Sequence, residues 1–213
     1  MSENETPPIP SRNRLRKAAV IEQAAICFME KGYHATSVDD VARRLGCSKG
    51  RVYHYCPTKT DLFFEVHREG MRRLFEAIEP ALRTPGSSLE VLRAMLVAHA
   101  GAMLRHHHFE TVVAQGVQIH RFGATTPDQR ATLSELIASR DTFENLFKKQ
   151  IAAARDDGHL GDVDVSIAAK VALGGLQWSI YWYRPDADRG RNARDRLAVM
   201  MADIIIDGLR ARG

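Results

Sequence analysis

The apolar positions of this chain recur at intervals of three and four residues along almost its whole length. No strand-like alternation of useful length interrupts them, so the pattern predicts an all-α fold. Between Leu15 and Lys31, the residues Ala18, Ile21, Ala25, Phe28 and Met29 mark one helix, with Gly32 as its stop. Two short helices follow. Ser37 is placed to cap the first, whose Val38, Val41, Ala42 and Leu45 share one face; Gly46 then turns the chain, and Ser48 is placed to cap a second helix starting at Lys49. Two short helices joined by a tight turn containing Gly make a helix-turn-helix, whose second helix enters the major groove of DNA with its N-terminal residues against base edges. Here those residues are Lys49, Gly50 and Arg51, followed by Tyr53 and His54. The helix beginning near Leu15 is expected to cover the pair, because two short helices alone bury too little apolar area to hold their geometry.

Further along, Thr58 and Asp61 open a linker helix that runs to about Glu79, where Pro80 ends it. A turn at Pro85, Gly86, Ser87 and Ser88 precedes a helix from Leu89 to about Arg105 capped by Ser88, then a shorter one from Phe109 to about His120. Pro127 suits the first position of a long helix reaching Gly158. Two more are expected, about Val165 to Tyr183 and about Asn192 to Arg212. Their apolar surface exceeds what one buried face needs, and homodimerisation through these last two helices covers it. A dimer also suits a helix-turn-helix, since two copies read half-sites about 34 to 36 Å apart. The expected organisation is therefore a disordered arm at 1–11, a DNA-binding domain at 12–60, and a larger helical ligand-binding and dimerisation domain at 61–213.

Charge sharpens the picture. Residues 12–59 carry ten Lys or Arg against four Asp or Glu, a net of +6, while residues 60–213 balance at twenty each. The positive field thus sits on the helix-turn-helix, as phosphate neutralisation requires. Arg12, Arg14, Arg16 and Lys17 crowd a helix start, where cations are unfavourable unless an anion partners them; phosphate contact is the expectation, a solvated helix start the alternative. No apolar run is long enough for a membrane span, and the MSENE start lacks a signal-peptide pattern, so a cytoplasmic location is expected. Cys27, Cys47 and Cys56 show no metal or redox spacing. No phosphate-loop, zincin or nucleophile-elbow motif supports an enzyme, and no cofactor is expected. His106, His107 and His108 cannot all face one centre from a helix, so a metal site is not expected.

The residues Gly32, Tyr33, Thr36, Ser37, Val41, Ala42, Gly46, Ser48, Lys49, Gly50, Tyr53, His54, Thr58 and Lys59 resemble, in order and spacing, the N-terminal fingerprint of the TetR family of bacterial repressors. Two departures are Tyr55, where the family often has a second His, and Cys56, which replaces the usual Phe. The resemblance implies an Ω-like dimer with an effector pocket above the linker helix. It also implies that Thr36, Tyr53, His54 and Lys59 hold operator phosphates while Lys49, Gly50 and Arg51 approach bases. Arg51 is the expected base reader, since its fork suits guanine. The segment Trp178 to Ala187 looks like the C-terminal domain of a subgroup that includes sensors of acyl-CoA thioesters. Trp178 and Trp182, with Met95, His99, Met103, Phe143 and Phe147, are the expected lining of an acyl pocket, with Arg105, Arg121, Arg140 and Arg184 available to CoA phosphates. Alternatives are that these aromatics are core or dimer interface, that the effector is a lipophilic drug acting on an efflux-pump repressor, or, more remotely, that a metal is sensed.

Overall fold

A computed structural model of the chain describes residues 12–122, 126–184 and 192–210, the side chains of Arg12, Arg14, Leu15 and residues 117–122 excepted. The described residues are helical throughout, with no strand among them.

Helix α1 (Arg12–Ala35) passes through a break at Gly32, whose φ of 75° only glycine adopts without strain. The expected stop is therefore a kink followed by one more turn. Helices α2 (Val38–Arg44) and α3 (Lys49–Tyr55) form the helix-turn-helix. Ser37 and Asp40 close a reciprocal capping box on α2. Gly46, at φ 63°, then lets the chain fold back: the Cys47 amide donates to the Ala42 carbonyl and the Gly46 amide to that of Arg43, so the last carbonyls of α2 are satisfied inside the turn.

Helix α4 (Lys59–Ile78) opens on a Thr58–Asp61 capping box and runs to a single 3₁₀ turn at Ala81–Arg83. Helix α5 (Ser88–Arg105) is capped by Ser87, whose hydroxyl and amide both pair with Glu90; the expected cap, Ser88, is the first helical residue. Helix α6 (His107–Phe122) starts two residues earlier than its apolar pattern suggests. Helix α7 (Pro127–Asp156) has Pro127 in its first turn behind a Thr126–Gln129 box. The expected single helix from Val165 divides into α8 (Val165–Gln177) and the short α9 (Ser179–Trp182), and α10 (Ala193–Leu209) ends the bundle.

Two apolar clusters result. One joins α1, α2, α3 and the first half of α4, and continues past residue 60 to take in Phe109 and Val112 of α6 with Leu133 and Leu136 of α7. The other joins the second half of α4 with α5, α7, α8 and α10. Helix α4 is thus a common wall: Leu62, Phe63 and Val66 face one core, Met71, Leu74 and Ile78 the other. Cys56 fills its place in the first core at 1% exposure, and burial pushes its thiol up to about 11.

Candidate nucleic-acid interface and effector cavity

Helix α3 is pinned from below by Val52, which is fully buried, so the rest of its surface turns outward. Lys49, Gly50, Arg51, Tyr53 and His54 are all exposed, a contiguous cationic and aromatic face. Lys49 reaches Asp39 of α2 at 3.0 Å, and that hydrogen bond raises its pKa. Ser48 adopts the extended cap backbone, yet its hydroxyl makes no capping bond. Arg16 is exposed in the second turn of α1; the Arg12 and Arg14 side chains lie outside the described residues.

Two expected phosphate ligands are occupied otherwise. Thr36 is buried at 2%, its hydroxyl lying 2.7 Å from the carbonyl oxygen of Gly32 and 3.0 Å from that of Cys27, which share its one proton. That hydroxyl closes the end of α1. Lys59 donates to the carbonyls of Tyr33 and His34 and lies 4.6 Å from the centre of the Tyr33 ring. Its charge tethers the C-terminal end of α1 to the start of α4.

In the larger bundle, a cavity of about 370 Å³ opens between α4, α5, α6, α7 and α8. Each helix contributes residues three or four apart: Met71 and Leu74, His99 and Met103, Glu110 and Val113, Ile137, Arg140, Asp141 and Glu144, Lys170, Leu173, Gly174 and Gln177, with Phe143 between. Of the expected lining, His99, Met103, Arg140 and Phe143 are brought together here. Met95 and Phe147 are fully buried in the core beside the cavity and do not line it. Trp178 and Trp182 are 61% and 45% exposed and do not line the cavity; Trp178 sits between the end of α8 and the start of α9 with helical backbone angles. The side chain of Arg121 lies outside the described residues.

The residue that sequence reasoning missed most clearly is Glu110. It is 1% exposed and makes no side-chain hydrogen bond among the described residues, and burial raises its pKa well above the usual carboxylate range. His99 is 4% exposed with Nδ1 unpaired, and burial lowers its pKa to about 4. His99 is therefore neutral near pH 7, burial favours the protonated form of Glu110, and each unpaired group costs about 1 to 3 kcal/mol. Arg140 also makes no hydrogen bond or ion pair among the described residues; burial lowers its pKa while Asp141 and Glu144 act against that. Glu144 is matched to Lys148 at 2.5 Å and Lys170 at 2.9 Å.

The cavity adjoins a polar junction leading to the reading head. Arg73 of α4 bonds Glu22 of α1 at 2.9 Å and Glu69 at 2.8 Å, contacts His106 Nδ1 at 3.0 Å, and lies 4.0 Å from the Phe109 ring centre. His108 bonds Glu22 at 2.7 Å, and His107 contacts the Ile180 carbonyl at 2.9 Å. The three consecutive histidines point to three different partners. Among the described residues no group of three His, Cys, Asp or Glu converges to hold a metal, and no helix is long and apolar enough to cross a membrane.

A third feature is an uncovered apolar face. Ile167 and Val171 on α8, Trp178, Tyr181 and Trp182 around α9, and Met200 and Ile204 on α10 are between 45% and 71% exposed. Large side chains at i, i+4 spacing on two packed helices make a stripe that water covers poorly.

Two family models match the chain. One, described as bacterial regulatory proteins of the tetR family, covers residues 20–66; the other, a tetracyclin repressor-like C-terminal domain, covers residues 85–209. The HTH-type transcriptional repressor KstR2 of Mycolicibacterium smegmatis is 27% identical over 187 residues, 84% of this chain and 84% of its own. The TetR family transcriptional regulator PfmR from Thermus thermophilus superposes at a TM-score of 0.75 with 32% identity, over 90% of this chain and 99% of that one. AibR, solved in complex with isovaleryl coenzyme A and operator DNA, shares the fold at a TM-score of 0.71 and 22% identity, over 91% of this chain and 97% of that one.

Proposed function

The chain belongs to the TetR family of bacterial regulatory proteins and is a DNA-binding transcriptional repressor rather than an enzyme; from that premise we propose that a small apolar effector, an acyl-CoA thioester, releases it from a palindromic operator. The observation that carries this reading is the double role of α4. Its first turn follows directly on α3, and its Met71 and Leu74 line the cavity, so an occupant touches the helix that holds the reading head. A ligand that fits the cavity in only one position of α4 shifts the population toward that position.

Residues 12–60 carry DNA recognition and residues 61–213 effector binding and dimerisation. Arg51 reads a base, with Lys49 and Gly50 close to the groove floor, and Tyr53, His54, Ser48 and Arg16 hold phosphates. The exposed stripe on α8, α9 and α10 is the two-fold interface, so Trp178 and Trp182 serve assembly and not the pocket. A cavity of about 370 Å³ accommodates an acyl group but not the whole of coenzyme A. The nucleotide then lies outside, and Arg140 and Lys170 at the cavity wall face the anionic part of the ligand. The isovaleryl-CoA complex of AibR supports this class of effector.

A gel shift on DNA upstream of the protein's own gene, repeated with a panel of CoA thioesters and the matching free acids, tests the reading. Release by a thioester and not by its acid is expected; a bound thioester that leaves the complex intact excludes it.

A further inference from the structure

The cavity is not lined as a hydrocarbon site would be. Met71, Leu74, Met103 and Phe143 suffice for an alkyl chain, but Glu110 and His99 stand among them, buried at 1% and 4% exposure and without hydrogen-bond partners among the described residues. They come from different helices, α6 and α5, so one helix face placed on the cavity does not explain both.

We propose that the part of the effector entering the cavity carries an uncharged oxygen function, a hydroxyl or a ketone on an alicyclic or chain framework, which hydrogen-bonds Glu110 and His99. This deepens the effector reading above and rests on it, since it assumes that the cavity is the effector site.

The two groups select the ligand's chemistry by what they offer. Burial favours the protonated carboxyl of Glu110, which offers a donor beside its acceptor oxygen, and the neutral imidazole of His99 offers one donor and one acceptor. Together they match a hydroxyl or a carbonyl oxygen. An alkyl ligand would seal both away from water unpaired, which is the circumstance in which a site rejects an analogue that lacks the matching oxygen. A cationic ligand group fits worse, because the guanidinium of Arg73 already acts on Glu110. The other ionisable side chains of the cavity, Arg140, Lys170, Asp141 and Glu144, belong to α7 and α8, leaving Glu110 and His99 as the polar groups of the α5 and α6 walls.

The test uses the full-length protein without DNA or coenzyme A, so it does not depend on which thioester, if any, releases the operator. Calorimetric titration with 2-decalone and with decalin, which differ in one ketone oxygen, is expected to show the ketone binding at least about 10-fold tighter. Glu110→Leu should reduce that preference to within about 3-fold, and Glu110→Gln, which keeps a donor and an acceptor, should retain most of it. The melting temperature of ligand-free Glu110→Leu should equal or exceed that of the parent, because an unpaired buried group has been removed. Equal binding of the two probes, binding of neither, a preference that survives Glu110→Leu, or a lowered melting temperature for that variant would each overturn the proposal. A failed operator release with intact ketone preference would count against the thioester alone.

Discussion

Helices α4 and α6 pack so closely that a single methyl group should register. A Cβ built on Gly70 of α4 falls 2.6 Å from Cγ2 of Val113 and 3.5 Å from Cβ of Phe109. Val113 is 2% exposed and β-branched, so it has little rotamer freedom with which to yield. Two effects oppose each other in Gly70→Ala. Helix propensity favours the variant by about 1 kcal/mol, while overpacking a filled core costs about 1 to 3 kcal/mol. Because the approach is nearly an ångström inside ordinary contact, overpacking should win, for a net loss of about 1 to 2 kcal/mol and a fall in Tm of several degrees. Val113→Ala alone should also destabilise, by loss of buried methyl groups. Combined, the two should be better than additive by about 1 to 2 kcal/mol, since the smaller side chain makes room for the new methyl. Urea melts of the four proteins with matched m-values measure this cycle. A Gly70→Ala variant as stable as the parent, or single effects that simply add, would refute close packing of α4 on α6.

Arg51→Ala should weaken operator binding by about 1 to 3 kcal/mol and relax preference at one base position, read by anisotropy on a set of single-base operator variants; undiminished, equally selective binding removes Arg51 from base readout. Burial lowers the pKa of His67 and His99 from 6.5 to about 4, so the unfolded chain binds more protons in that window and stability should fall as pH drops from about 6.5 to 4. Glu110, raised by burial, works in the opposite direction, stabilising as pH falls. His99→Leu should therefore flatten the stability-against-pH slope in the window by about 1.4 kcal/mol per unit, and an unchanged slope contradicts a neutral buried His99. Ile204, 71% exposed on α10, should when changed to Lys convert a dimer into monomers by sedimentation and abolish tight operator binding with little change in helicity; a persistent dimer moves the interface elsewhere.

Local signals carried the fold. Ser37, Thr58 with Asp61, and Gly46 each announce an element boundary through groups within a few residues and stand at those boundaries; the reciprocal bond of Asp40 to Ser37 comes in addition. The α5 cap was legible too, in the spacing of Ser87 and Glu90, although the neighbouring Ser88 competes for the same role. The cavity was legible only in residue types. Met95 and His99 lie one turn apart on α5, and which of them meets open space depends on what α7 and α8 place opposite. Trp178 and Trp182 do share a face, but it is the exposed one, and their spacing alone does not say whether the bundle core or the surface lies beside it. Thr36 and Lys59 satisfy helix-end carbonyls that no pattern of apolar residues reveals. Glu110 was hidden because an acid beside Phe109 reads as a solvated position until α4 is packed against it.

Under the proposed function, cavity and operator are coupled through α4. The most direct test of that coupling is reciprocal: the Kd for operator DNA with and without saturating effector thioester, and the Kd for that thioester with and without saturating operator, in the same buffer and salt. Each ligand should weaken the other by one common factor, about 5 to 150-fold. An operator affinity unchanged at saturating, demonstrably bound thioester would contradict the coupling.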